Sequence, residues 1–212
     1  MDLLSSTGVI YEHIFFEGGK SISEIRKGII KETIFGSCGK LIKRVLFNDL
    51  RFPLGRYCED SYTNLRLFFV ATTARCIPKS YYIYSRENTN SISNGLDLSK
   101  RIKFHYWSFQ VWRDHIDFAH KYYPELEEYC VRHLIDKALD VLLYQYGKPT
   151  LTDENLAIIK SMLKKYRSVS LPKEKSYLRY FLLDGWPFIR VLMGKRKVAS
   201  FYFRSCLCKW PS

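Results

Sequence analysis

No run of uncharged apolar residues in the 212-residue chain reaches the roughly 18 needed to cross a bilayer, so no spanning helix is expected. The N-terminus has no basic flank ahead of an apolar run, so no signal peptide is read there. The six cysteines, at 38, 58, 76, 130, 206 and 208, include no C-x-x-C pair, and no His/Cys group has zinc spacing. Scattered thiols fit a reducing cytoplasm better than a disulfide framework. With 11 Gly and 7 Pro, collagen-like and low-complexity classes are excluded. Acids are scarce at one end. Residues 160–212 hold 13 Lys/Arg against Glu174 and Asp184 alone, a net +11, while the first 159 residues carry +2.

What is present is material for a core. Hydrophobic residues make up 47% of the chain and aromatics 16%, which argues against disorder. The whole chain carries +13, and a basic end of this kind seeks an anionic partner: phosphate, nucleic acid or an anionic lipid surface.

Residues 8–17 are β-branched and aromatic and end at Gly18-Gly19, which predicts a strand closed by a turn. Ser21 or Ser23 would cap a helix through about Lys31, with Ile22, Ile25, Ile29 and Ile30 on one face. A second helical stretch is expected over Lys40–Phe47. Arg51–Tyr57 reads as a loop, 61–71 as a helix with Leu65, Phe68 and Phe69 on its apolar face, 74–85 as an interrupted strand, and 86–95 as a polar loop. From Asp97 the pattern turns helical, over about 97–122, 124–147, 153–168 and 173–193, punctuated by Pro124, Pro149 and Pro172. The expected architecture is therefore an α/β half over 1–95 followed by a mostly α-helical region over 96–212.

Three places could carry chemistry. Glu59-Asp60 opens a helix after a Pro/Gly loop. A carboxylate there serves either as a helix N-cap or as a general base facing a cleft. Arg86, Ser91 and Ser93 lie on a loop after a strand, which suits either a phosphate cradle or a solvated surface. Lys40-Leu41-Ile42-Lys43-Arg44 is a basic turn that either faces water or meets phosphate.

Taken in order, five elements match a known pattern. These are Gly39-Lys40-Leu41-Ile42-Lys43-Arg44, then Leu50-Arg51-Phe52-Pro53-Leu54-Gly55, then Glu59-Asp60, then Tyr81-Tyr82-Ile83-Tyr84-Ser85-Arg86, and finally Ser91-Ile92-Ser93. Together they resemble the second half of the catalytic domain of family 2 glycosyltransferases, the GT-A group of bacterial polysaccharide enzymes. The resemblance covers roughly residues 8–95 and implies a partial GT-A-like half-domain. It further implies inverting transfer of a sugar from a nucleotide-diphospho-sugar donor to a glycan or lipid-linked acceptor. Asp60 would take the acceptor hydroxyl's proton, with Glu59 as its orienting neighbour. Lys40, Arg86, Ser91 and Ser93 would contact the diphosphate or acceptor.

The family also carries a nucleotide-binding half with a D-x-D motif that holds Mg²⁺ or Mn²⁺. No D-x-D occurs in this sequence, so no metal residue is assigned, and the ion belongs to the complete enzyme. The resemblance thus implies a truncated product, a misplaced start or one part of a split enzyme, transferring little or no sugar alone. The competing reading is a non-enzymatic remnant or accessory protein acting through its basic end. Residues 176–212 mix Lys/Arg with Tyr, Phe and Trp, which suits peripheral attachment to an anionic membrane at the cytoplasmic face. Nucleic acid is the weaker partner, because no reader motif is present.

Overall fold

The computed structural model describes residues 2–4, 10–11, 21–31, 35–75, 82–85, 97–147 and 149–184. In chain order these form strands β1 (Asp2–Leu4) and β2 (Ile10–Tyr11), helices α1 (Ile22–Lys31) and α2 (Glu59–Val70), strand β3 (Ile83–Ser85), and helices α3 (Leu98–Tyr122), α4 (Glu127–Gly147), α5 (Asp153–Lys165) and α6 (Lys173–Asp184). Short 3-10 turns lie at Arg44–Phe47 and Pro124–Leu126.

The α/β half-domain expected over 1–95 is corrected by this arrangement. Among the described residues the strands are fragments of two or three residues, in the order β2-β1-β3. β1 pairs antiparallel with β2, Leu3 opposite Tyr11, and parallel with β3, Asp2 opposite Ile83. A sheet this small cannot stand as the wall of a GT-A-like domain, since isolated short strands bury too little to be stable alone. The physical reason for the miss is that β-branched composition reports fitness for a sheet, not the presence of one. Lys40–Phe47 is corrected too: only Arg44–Phe47 coils, as a 3-10 turn, and Lys40–Lys43 is irregular.

The helices end where their local chemistry predicts. Ser21 rather than Ser23 starts α1. The Ser21 N–H and hydroxyl donate to Glu24 Oε2, both at 2.8 Å, and the Glu24 N–H donates back to Ser21 Oγ at 3.2 Å. This reciprocal box satisfies donors that the first helical turn leaves open. Asp97 caps α3 by accepting from the Lys100 N–H at 2.9 Å, and Thr152 caps α5 by accepting from the Asn155 N–H at 3.3 Å.

Packing centres on the α3–α4 pair. Ile102, Phe109 and Ile116 of α3 and Leu134, Ile135, Ala138 and Val141 of α4 are buried. Ile25, Ile29 and Ile30 of α1, Leu65 of α2, and Ile159 and Leu163 of α5 join the same hydrophobic cluster. Burial of each such aliphatic side chain contributes about 1.5–3 kcal/mol. The apolar stripe read on α1 therefore packs against helices rather than against a sheet. Polar ties fix the angles. The Tyr106 hydroxyl donates to Asn155 Oδ1 at 2.6 Å, joining α3 to α5. Gln145 Oε1 accepts from the N–H groups of Thr150 and Leu151 at 2.9 and 3.1 Å, closing the α4–α5 connection.

Two arginines finish helices that are not their own. Arg26 of α1 reaches the C-terminal end of α2 and donates to the carbonyls of Phe68, Phe69 and Ala71 at 2.8, 3.0 and 2.9 Å. Its guanidinium also lies over the Phe69 ring, 5.3 Å from the centroid. Arg179 of α6 donates to the carbonyls of Tyr166 and Val169 just beyond α5. A cation is favoured at a helix C-terminus, where carbonyls lack helical partners. Arg26→Met keeps the stem and removes the fork. It is expected to cost about 1.5–3 kcal/mol of unfolding free energy in a urea titration. An unchanged midpoint would show that the freed carbonyls are satisfied by water instead.

Candidate functional site

The chain enters α2 through Cys58, whose φ of 58° and ψ of 29° place it in the left-handed region. A non-glycine residue there is uncommon and turns the backbone sharply. The turn delivers Glu59 and Asp60 into the first turn of the helix, where negative charge complements the helix dipole. The Cys58 thiol donates to the Phe104 carbonyl at 3.9 Å. Burial pushes it up to about 12, with the charges of Asp60 and Glu59 adding to the effect, so it is no nucleophile near neutrality.

Asp60 is half-buried and held at one oxygen. Oδ1 accepts from the Ser61 N–H at 2.7 Å. Oδ2 faces the strip Gly36–Lys40: a methyl group added at Gly36 would sit 3.8 Å from it. Lys40 is half-buried on that strip and donates to the Gly36 carbonyl. Burial lowers the Lys40 pKa, and the Asp60 charge opposes that lowering. Of the expected residues, Asp60 at the helix start and Lys40 on the irregular strip are near enough for their charges to influence each other, with no ion pair between them. Glu59 stands apart: its side chain is exposed. Arg86, Ser91 and Ser93 lie outside the described residues. Tyr82, shortly before Arg86, does reach the strip, its hydroxyl donating to Cys38 Sγ at 3.4 Å.

Asn64 was not anticipated and holds the site together. It lies one turn beyond Asp60 and is fully buried. Its amide donates to the Phe35 carbonyl and to Ser37 Oγ, the latter at 3.2 Å, pinning both sides of Gly36 onto α2. Its Oδ1 has no hydrogen-bond partner. Only the i, i+4 spacing from Asp60 hinted at it, and that spacing is common in any helix. Beneath lies His115 of α3, wedged between Phe35 and Trp112 with ring centroids 4.4 and 4.9 Å away.

A second polar group sits nearby. His105 stacks on Tyr144, and its Nδ1 lies 3.4 Å from Asp140 Oδ2, which Lys137 also approaches at 3.4 Å. Burial pushes His105 down to about 3, helped by Lys137 and Arg101, so the imidazole is neutral. Burial raises Asp140, and Lys137 counters it. An open groove of 480 Å³ lies elsewhere, at the C-terminal end of α2, between Arg26, Arg66, Phe69, Phe118 and Tyr122. Its guanidiniums are engaged in structure. Arg26 caps α2, and Arg66 donates to the Tyr62 carbonyl at 2.8 Å and meets Asp114 at 3.3 Å. The groove contains none of the candidate site residues Lys40, Glu59 and Asp60.

Among the described residues no group of three or more His, Cys, Asp or Glu side chains is placed to hold a metal ion. No helix among the described residues is long and apolar enough to cross a membrane. No family model, curated protein or solved structure matches the chain.

Acid should loosen this region through His115. Burial pushes its imidazole down from 6.5 to about 3. Above about pH 6.5 the ring is neutral folded and unfolded. Below it the unfolded chain binds a proton that the folded chain refuses, so stability is lost as pH falls toward 3. The slope from one such group is about 1.4 kcal/mol per pH unit. Denaturant titrations of His115→Leu and the parent chain between pH 7 and 4 should show a shallower acid slope in the variant by that amount. Parallel slopes would place the acid sensitivity in other groups.

Proposed function

We propose that this chain supplies the acceptor-facing part of a sugar transferase, with Asp60 as the base. In such a reaction the acceptor hydroxyl oxygen bonds to the anomeric carbon of a nucleotide-diphospho-sugar. The bond from that carbon to the diphosphate oxygen breaks, and the diphosphate leaves with the electron pair. The hydroxyl proton goes to the Asp60 carboxylate. The observation that carries the reading is the posture of Asp60: one oxygen fixed by the Ser61 N–H, the other turned to the Gly36–Lys40 strip. A base must be held in place and within reach of the proton it takes. Asn64 gives the strip its fixed distance from the helix. The Lys40 ammonium, bonded to the Gly36 carbonyl on the strip that Asp60 faces, has further donors for an acceptor oxygen or a departing phosphate.

Donor binding falls to residues outside those described or to a second polypeptide, since no D-x-D occurs in the sequence. The acceptor is a glycan or lipid-linked sugar handled at the cytoplasmic face of a membrane, with the basic aromatic stretch 176–212 as an anchor. Combining the chain with the nucleotide-binding half of a family 2 transferase, a radiolabelled nucleotide-sugar and a lipid-linked acceptor should restore transfer. Asp60→Asn should then lower the rate by roughly 10²–10⁴ while leaving helix content unchanged by circular dichroism. Full turnover by the variant would reduce Asp60 to a helix-start acid. No transfer by the parent chain would favour the non-enzymatic accessory reading.

A further inference from the structure

Residues 40–56 present an unusual surface. Leu41 is 99% exposed and Leu54 98%, and Val45 and Phe52 are exposed as well. Single exposed apolar side chains are ordinary, but four large ones within fourteen residues call for a partner. Charge of one sign surrounds them. Lys43, Arg44 and Arg51 are exposed, Lys40 and Arg56 are half-buried, and Asp49 is the one acid in the stretch.

The stretch is braced from beneath. The Phe47 and Phe52 rings meet at 5.9 Å, drawing its two arms together. Thr63 Oγ1 donates to the Arg51 carbonyl at 3.4 Å, fastening the loop to α2. The Arg56 guanidinium lies over the Tyr62 and Trp107 rings, 4.7 and 5.1 Å from their centroids. Leu54 tops a turn whose next residue, Gly55, has φ of +75° and open space around it. The apolar tips therefore protrude on a supported base.

From this we propose that residues 40–56 form a membrane-docking surface, in which Leu41, Val45, Phe52 and Leu54 enter the headgroup layer of an anionic bilayer while Lys43, Arg44 and Arg51 meet its phosphates. A flat apolar face would suit another protein. Separate protruding leucines set among exposed cations suit an interface that is soft, apolar below and negatively charged above. The stretch is separate in sequence from the basic stretch 176–212. Its docking role does not depend on the sugar-transfer reading, although Asp60 lies at the same end of α2.

The test uses the full chain and vesicles of phosphatidylcholine with or without phosphatidylglycerol. Flotation should capture the chain on the anionic vesicles, with binding that weakens as salt is raised. Leu41→Asp combined with Leu54→Asp should weaken capture by roughly tenfold or more. Both positions are exposed, so the fold is expected to persist, and circular dichroism checks it. Hydrogen exchange with anionic vesicles should slow within 40–56 in the parent chain and not in the variant, a readout that activity and the 176–212 stretch do not influence. Unchanged capture by the variant, or no slowing within 40–56, would overturn the proposal and assign attachment to another part of the chain. Loss of self-association in the variant without capture of the parent by vesicles would overturn it in favour of a second copy as the occupant.

Discussion

The apolar seam between α3 and α4 is the constraint on which the other elements depend. Phe109, Leu134, Ile135, Ala138 and Val141 are almost wholly removed from water there. Each remaining helix adds only a few residues to that seam: three isoleucines from α1, Leu65 from α2, Ile159 and Leu163 from α5. None of these short helices would persist alone, because nucleation is costly and isolated helices of this length are marginal in water. Their stability comes from the face they bury. The position of α2, and hence of Asp60, is therefore set by packing against α1 and α3, not by its own sequence.

That dependence explains why polar contacts concentrate at the ends of α2. At its C-terminal end Arg26 answers three carbonyls. At its N-terminal end the backbone turns through left-handed Cys58, and Asn64 ties the Phe35–Ser37 strip to the first turns. Buried polar groups are tolerated where they are satisfied, and here they convert a helix face into a fixed platform. Asn64 Oδ1 is an exception, buried without a hydrogen-bond partner near the buried His115 ring. Such groups cost free energy, and they mark the place where the packing is least forgiving.

The exposed stretch 40–56 stands on the same platform. Its tips are solvent-facing, and its backbone is steadied by Thr63 and by the Arg56 stack on Tyr62 and Trp107. The acidic helix start and the basic apolar loop thus share one end of α2. A carboxylate and a half-buried ammonium sit within a few residues of the most exposed leucines in the described chain. This proximity is what would let surface attachment and chemistry act on the same bound molecule.

Much of the helical layout was legible in the residue pattern. The spacing of Ile22, Ile25, Ile29 and Ile30 gave α1, Ser21 and Ser23 bracketed its start without choosing between them, and Pro124, Pro149 and Pro172 separated the later helices, because periodicity and capping are local physics. Glu59-Asp60 was likewise legible as a helix start. What the chain composition could not decide was the partner of each face. The β-branched stretches read as a sheet, yet the described strands are fragments and α1 packs on helices, since burial depends on which surfaces meet. The placement of Gly36 against Asp60, the burial of Asn64 and His115, and the exposure of Leu41 and Leu54 were decided only in three dimensions. Each depends on contacts between residues distant in sequence, which no local pattern encodes.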